Sequence, residues 1–218
     1  MLRSAEEREL RKAAVLDALQ ALRMAFPLQT RIESAAPVAR AAYAEVLRRW
    51  VNQGLPSGPE VAPAAALETL AGMDAIVIDD EGVGCYPFSA RATGMRVDFA
   101  GRSVHAMCAV DALAIPHLVR HLGRVSARCV ICHCHLACEI TGHGELAQGA
   151  AQGLRVFWRR AAAGHGPCCS SLCSGIGFVC QHCTIGEEGL SLALPQALAV
   201  ANAFFAFQRR LLEHYERL

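Results

Sequence analysis

The chain has 218 residues, of which 53% are hydrophobic and 19% charged, a composition that describes a compact globule with a sizeable core and argues against disorder. Its formal net charge of +1, with acidic and basic residues intermixed, lacks the electrostatic footprint of a nucleic-acid or anionic-membrane partner. No apolar run reaches the roughly 18 residues of a membrane span, and the opening MLRSAEERELRK lacks the apolar stretch of a secretory signal. A cytoplasmic location is expected, and in that reducing compartment the 11 cysteines are expected to be free or metal-bound.

The first predicted element is a helix over 4–26, opened by the capping-box spacing Ser4-Ala5-Glu6-Glu7 and carried by Leu10, Ala13, Ala14, Leu16, Ala18, Leu19 and Leu22. A second helix is predicted over 38–51, ended by Gly54-Leu55-Pro56, and a third over 62–71. Ala75-Ile76-Val77-Ile78 then reads as a strand, turning through Asp79-Asp80-Glu81-Gly82 into a second strand over 83–88. Helices followed by a hairpin have the layout of a winged helix, although no basic cluster marks a recognition helix, so DNA binding is disfavoured.

A strand pair is predicted over 95–99 and 103–106, then a helix over 108–122 that Pro116 should kink or split. Further strands are predicted at 124–130, 136–140, 154–158 and 190–194, and a closing helix over 195–215 with Pro195 in its first turn. The expected class is therefore α+β: a winged-helix-like helical unit over 1–74, followed by a mostly antiparallel β core with flanking helices over 75–218.

Chemistry concentrates in Cys108-Ala109-Val110-Asp111 and in the thiol pair Cys168-Cys169. Cys108 falls at the start of its helix, where free amides and the helix dipole lower a thiol pKa, and Asp111 projects from nearly the same face three residues later. Soft thiolates beside a carboxyl able to deliver a proton suit a soft metal bound to a group that must leave protonated. The plainer alternative is a buried cysteine and a first-turn aspartate without any duty.

The segment from Val97 to Pro116, with its Met107-Cys108-Ala109-Val110-Asp111-Ala112-Leu113-Ala114-Ile115-Pro116, resembles organomercurial (alkylmercury) lyases. Similarity continues through Gly123-Arg124-Val125-Ser126-Ala127-Arg128-Cys129 and returns at Glu188-Gly189-Leu190 and the last helix. The resemblance implies two essential cysteines at Cys108 and Cys168, an essential aspartate at Asp111 and a structural cysteine at Cys129. It departs after Cys168-Cys169, where Ser170-Ser171-Leu172-Cys173-Ser174-Gly175 lacks the family's histidine and paired phenylalanines, leaving Cys169 and Cys173 as alternatives to Cys168. It further implies protonolysis of a carbon–mercury bond to a hydrocarbon and Hg(II), as in mercury detoxification. No redox cofactor is implied, and the acceptor of Hg(II) would be a small thiol or a mercuric reductase.

The remaining cysteines exceed that pattern. Cys129/Cys132 and Cys180/Cys183 form two C-x-x-C pairs, enough for one tetrahedral zinc or other soft metal, with Cys134, Cys138, Cys173, His133, His135 and His182 as competitors. The same thiols could instead line an exit route for Hg(II), or stay unliganded. Cys85 reads as core. Two further functions compete with a lyase: a non-catalytic soft-metal (Hg, Cu or Zn) chaperone and, on the helical N-terminus, a metal-responsive regulator.

Overall fold

The computed structural model describes residues 2–147, 153–159, 166–186 and 189–217, and the side chains from residue 12 onward. Helices α1 (Leu2–Ala25), α2 (Leu28–Ser34), α3 (Pro37–Gln53) and α4 (Ala64–Gly72) come first. They lead into strands β1 (Ile76–Asp79), β2 (Gly82–Cys85), β3 (Phe88–Ser89), β4 (Arg96–Phe99) and β5 (Arg102–Ala106). Helix α5 (Ala109–Val119) follows, then β6 (Gly123–Arg128), β7 (His135–Ile140), β8 (Arg155–Arg159), β9 (Ile176–Val179), β10 (Gly189–Ala193) and α6 (Leu194–Tyr215).

Among the described residues, seven strands pair antiparallel in the order β1-β2-β3-β5-β4-β6-β7, and three more form a small antiparallel sheet in the order β10-β8-β9. The architecture is the α+β arrangement that the element order implies. One continuous core runs from Ala18 through the α5 residues Leu113 and Ile115 to Leu212 of α6. Helix α5 is buried along nearly its whole circumference, packed against α6 on one side and β4, β5 and β6 on another. That position makes its first turn a rigid platform.

Several elements differ from the sequence expectation, each for a local reason. The backbone of α1 is already helical at Leu2, before Ser4; the side chains of the Ser4–Glu7 capping box, like Glu188 later, lie outside those described. Helix α2 is an unpredicted helix of about two turns after Pro27, held by buried Leu28 and Ile32. Pro116 does not split α5; the helix continues to Val119, and the proline ring packs where Gly123 leaves room, since a Cβ on Gly123 would lie 2.6 Å from Pro116 Cγ. The predicted strand over 83–88 is broken at Tyr86-Pro87, because proline has no amide for the ladder. Strand β9 is wholly buried and has no polar alternation by which to recognise it.

Trp50 ties α3 to this sheet: its Nε1 donates to Val83 O at 2.9 Å and its ring stacks on Phe88 at 5.3 Å with an interplanar angle of 7°. Trp50→Ala is expected to cost about 3–5 kcal/mol, read as a lower urea midpoint at unchanged slope.

Candidate active site

Cys108 is the residue that precedes α5, two positions after β5 ends, and Asp111 lies in the first turn of the helix. The strand-to-helix junction therefore aims both side chains inward from one rigid corner. Their third partner comes from the other side of the molecule, from the short 3₁₀ turn Cys173–Gly175 that leads into β9, a strand packed against α5. The Cys108 and Cys173 sulfurs and an Asp111 oxygen all lie within 4.8 Å of one another, and all three residues are buried. Cys173 Sγ donates to Asp111 Oδ2 at 3.7 Å. Cys168, the cysteine that the resemblance singles out, sits directly behind, with its sulfur 3.6 Å from that of Cys173. The structure thus sets two thiols, Cys108 and Cys173, around one carboxyl, with Cys173 rather than Cys168 in the place next to Asp111 and Cys168 one sulfur contact further away. Cys169 faces partly outward.

The loop that carries these thiols is anchored through its backbone. Asp74 Oδ2 accepts the Cys168 amide at 2.9 Å, the Tyr86 hydroxyl accepts the Cys169 amide at 2.9 Å, and Tyr86 itself donates to Asp74 Oδ1 at 3.3 Å. Arg31 pairs with Asp74 at 3.5 Å. Behind Tyr86, the buried Gln208 amide of α6 donates to the Tyr43 hydroxyl at 2.7 Å and to the Tyr86 carbonyl. None of Asp74, Tyr86 and Gln208 carries a sequence pattern that marks it as part of the site; they are found only because the fold delivers them to the loop.

Burial governs the protonation of the cluster. Desolvation pushes the Asp111 carboxyl up from 3.8 to about 7, against opposing hydrogen bonds from the Cys108 and Cys173 thiols and the Cys108 amide. Desolvation likewise pushes Cys108 up to about 11, only partly offset by its hydrogen bond with Cys173. This corrects the expectation of a helix-lowered thiolate at Cys108: the helix terminus is present, but the cost of burying an anion beside a second acidic group outweighs it. Cys173 is raised well above its ordinary value through its hydrogen bonds to Cys108 and Cys168 and by burial. The resting site holds Cys108 and Cys173 as neutral thiols beside an acid that titrates near neutrality. Cys85 is buried away from the trio, its sulfur 3.9 Å from the Tyr86 carbonyl oxygen, and is pushed up to about 12 by burial, as a core thiol should be.

A second thiol cluster lies at the far end of β9. Cys129, Cys132, Cys134 and Cys180 have their sulfurs within 4.8 Å of one another, and Cys183 lies 3.8 Å from Cys129 and 3.4 Å from Cys180. Cys138 is buried in β7 and does not join either cluster.

The family model for alkylmercury lyase matches residues 88–204, more than half of the chain. Among solved structures, the mercury-bound form of MerB2 is similar at 17% identity, over 83% of this chain and 96% of that chain, with a TM-score of 0.59; at that identity the likeness is one of fold. No curated protein matches.

Because folding raises the Asp111 pKa, the folded chain retains between pH 3.8 and about 7 a proton that the unfolded chain has lost. Its contribution to stability is fully present below that window and is lost as pH rises through it. Asp111→Asn keeps the shape without the charge, so the loss of melting temperature from pH 5 to pH 8 should be smaller than in the parent protein; an unchanged difference would show that Asp111 is not the buried acid.

Proposed function

The chain belongs to the alkylmercury lyase family, enzymes that cleave carbon–mercury bonds, and from this we propose that Cys108, Cys173 and Asp111 carry the cleavage, with Cys168 as the supporting third thiol. The observation that carries the reading is the buried carboxyl held within 4.8 Å of two sulfurs.

The substrate is an organomercurial, R–Hg–X. One thiol, Cys108, displaces X; its proton leaves as H–X and the sulfur–mercury bond forms. Contact with mercury acidifies a thiol, because a coordinating thiol sheds its proton. The second thiol, Cys173, then passes its proton to the Asp111 oxygen 3.7 Å away and bonds to the metal. Two electron-rich sulfurs weaken the bond to carbon. Asp111 returns the proton to carbon as the carbon–mercury pair becomes the carbon–hydrogen pair, giving R–H and a dithiolate of Hg(II). Mercury stays Hg(II) throughout, so the step needs neither oxidant nor reductant.

The Asp111 pKa near 7 suits both halves of this duty, since a carboxyl matched to neutral pH can accept and release a proton at comparable cost. Burial matters as well, because exclusion of water leaves the carboxylic acid as the proton donor nearest the departing carbon. Cys168, 3.6 Å from Cys173, is placed to exchange with it on the mercury and begin release of the product. Hg(II) then passes by thiol exchange to small thiols or to a mercuric reductase.

Release of benzene from phenylmercury in excess thiol tests the roles. Asp111→Asn should still bind mercury while product formation falls by about 10²–10⁴-fold. Cys108→Ser and Cys173→Ser should each abolish turnover, whereas Cys168→Ser should retain carbon–mercury cleavage in a single turnover and slow the release of Hg(II). Full single-turnover activity in Cys173→Ser, with none in Cys168→Ser, would transfer the second thiolate to Cys168.

A further inference from the structure

Strand β9 has a thiol cluster at each end, and only one of them contains a carboxyl. The cluster beyond Val179 is built from two copies of the same local device. Cys129-Val130-Ile131-Cys132 closes the end of β6, and Cys180-Gln181-His182-Cys183 closes the end of β9. In the first, the amides of Cys132 and Ile131 point back at the Cys129 sulfur, joined by the Cys180 amide at 3.5 Å; in the second, the amides of His182 and Cys183 point at the Cys180 sulfur. Backbone donors aimed at sulfur stabilise thiolate over thiol, the state a metal requires. A core thiol such as Cys138 carries no such set.

The sulfur spacing fits one ion. Ligands about 2.3 Å from a tetrahedral zinc stand about 3.8 Å from one another. The separations Cys129–Cys183 at 3.8 Å, Cys132–Cys180 at 3.7 Å and Cys180–Cys183 at 3.4 Å lie close to that value. No pair is joined in a disulfide. Two cations attend the cluster: Arg155 donates to the Cys180 carbonyl at 3.0 Å and to that of Cys183, and Arg128 donates to the His133 carbonyl at 3.1 Å. They oppose the net negative charge that four thiolates leave on a divalent ion.

From this we infer that Cys129, Cys132, Cys180 and Cys183 bind one zinc ion as a tetrathiolate, separate from the mercury site. Four thiols lose their protons to solvent as the ion binds. Cys134 is the fifth sulfur, within 4.8 Å of Cys129, Cys132 and Cys180 but outside both C-x-x-C turns, and it stands beside the ligand set. The ion joins the end of β6 in the large sheet to the end of β9 in the small one, where the backbone otherwise contributes the bond from Val130 N to Phe178 O at 3.0 Å. Since Cys173 opens the turn at the other end of β9, the zinc would pin the strand that delivers the second catalytic thiol.

The test is metal analysis of the full chain, produced with zinc in the medium and purified under reductant, with cobalt substitution as a second measurement. The wild type should hold about one zinc per chain and, after exchange, show the thiolate charge-transfer and ligand-field bands of tetrahedral Co(II). Cys129→Ser and Cys183→Ser should lose the metal; Cys134→Ser, Cys108→Ser and Cys173→Ser should keep it. Folded wild-type protein with neither zinc nor cobalt bands would overturn the site, as would uptake of Hg(II) alone. Retention of metal by Cys183→Ser with its loss in Cys134→Ser would overturn the ligand set. Because the cobalt spectrum is read on wild-type protein, a variant that fails to fold does not decide the matter, and because Cys108 and Cys173 are scored separately, the result stands apart from the lyase assignment.

Discussion

A carboxyl group taken out of water and placed among thiols is the constraint on which this structure turns. Asp111 could be ionised freely at the surface; buried at the first turn of α5, it is raised to about 7 and shares hydrogen bonds with Cys108 and Cys173. A lone buried carboxylate is costly, and the cost is reduced here by staying protonated over part of the neutral range. The same desolvation that is unfavourable for folding keeps the acid poised at a pH where proton transfer in either direction is easy.

Holding that arrangement requires rigidity from two directions. The Cys108–Asp111 half is set by a helix with hydrophobic contacts on nearly every side, entered directly from β5. The Cys168–Cys173 half is a loop, and loops carry little intrinsic order. Its position is fixed by backbone amides bound to Asp74 and Tyr86, by the buried Gln208 behind them and by β9 packed on α5. Polar groups recruited from α6 and from the segments that flank β1 and β2 thus hold the loop in place through its backbone.

Segregation of the thiols into two environments is the other organising feature. Around Asp111 the Cys108 and Cys173 sulfurs are buried, and desolvation favours their protonated form. Around Cys129 and Cys180 the backbone amides turn inward and favour the anion; Cys129 is lowered to about 6 although burial acts to raise it. The chain therefore has Cys108 and Cys173, whose anions burial disfavours, at one end of a four-residue strand and Cys129 and Cys180, whose anions backbone amides favour, at the other.

Much of this was legible along the chain. The helices over 38–51 and 195–215, the strand pair before Cys108 and the pairing of Cys108 with Asp111 depend on local periodicity and on a spacing of three within one helical turn, which is geometry internal to a short segment. The two C-x-x-C turns are local in the same sense. What only the tertiary structure decided is which distant sulfur meets Asp111: Cys168 and Cys173 lie five residues apart on a loop, and their order relative to the carboxyl depends on backbone anchors at Asp74 and Tyr86 more than 80 residues away. The protonation of Cys108 was decided there too. Helix position is written in the sequence, whereas desolvation depends on what the rest of the chain packs over the sulfur, and here that packing outweighs the helix terminus.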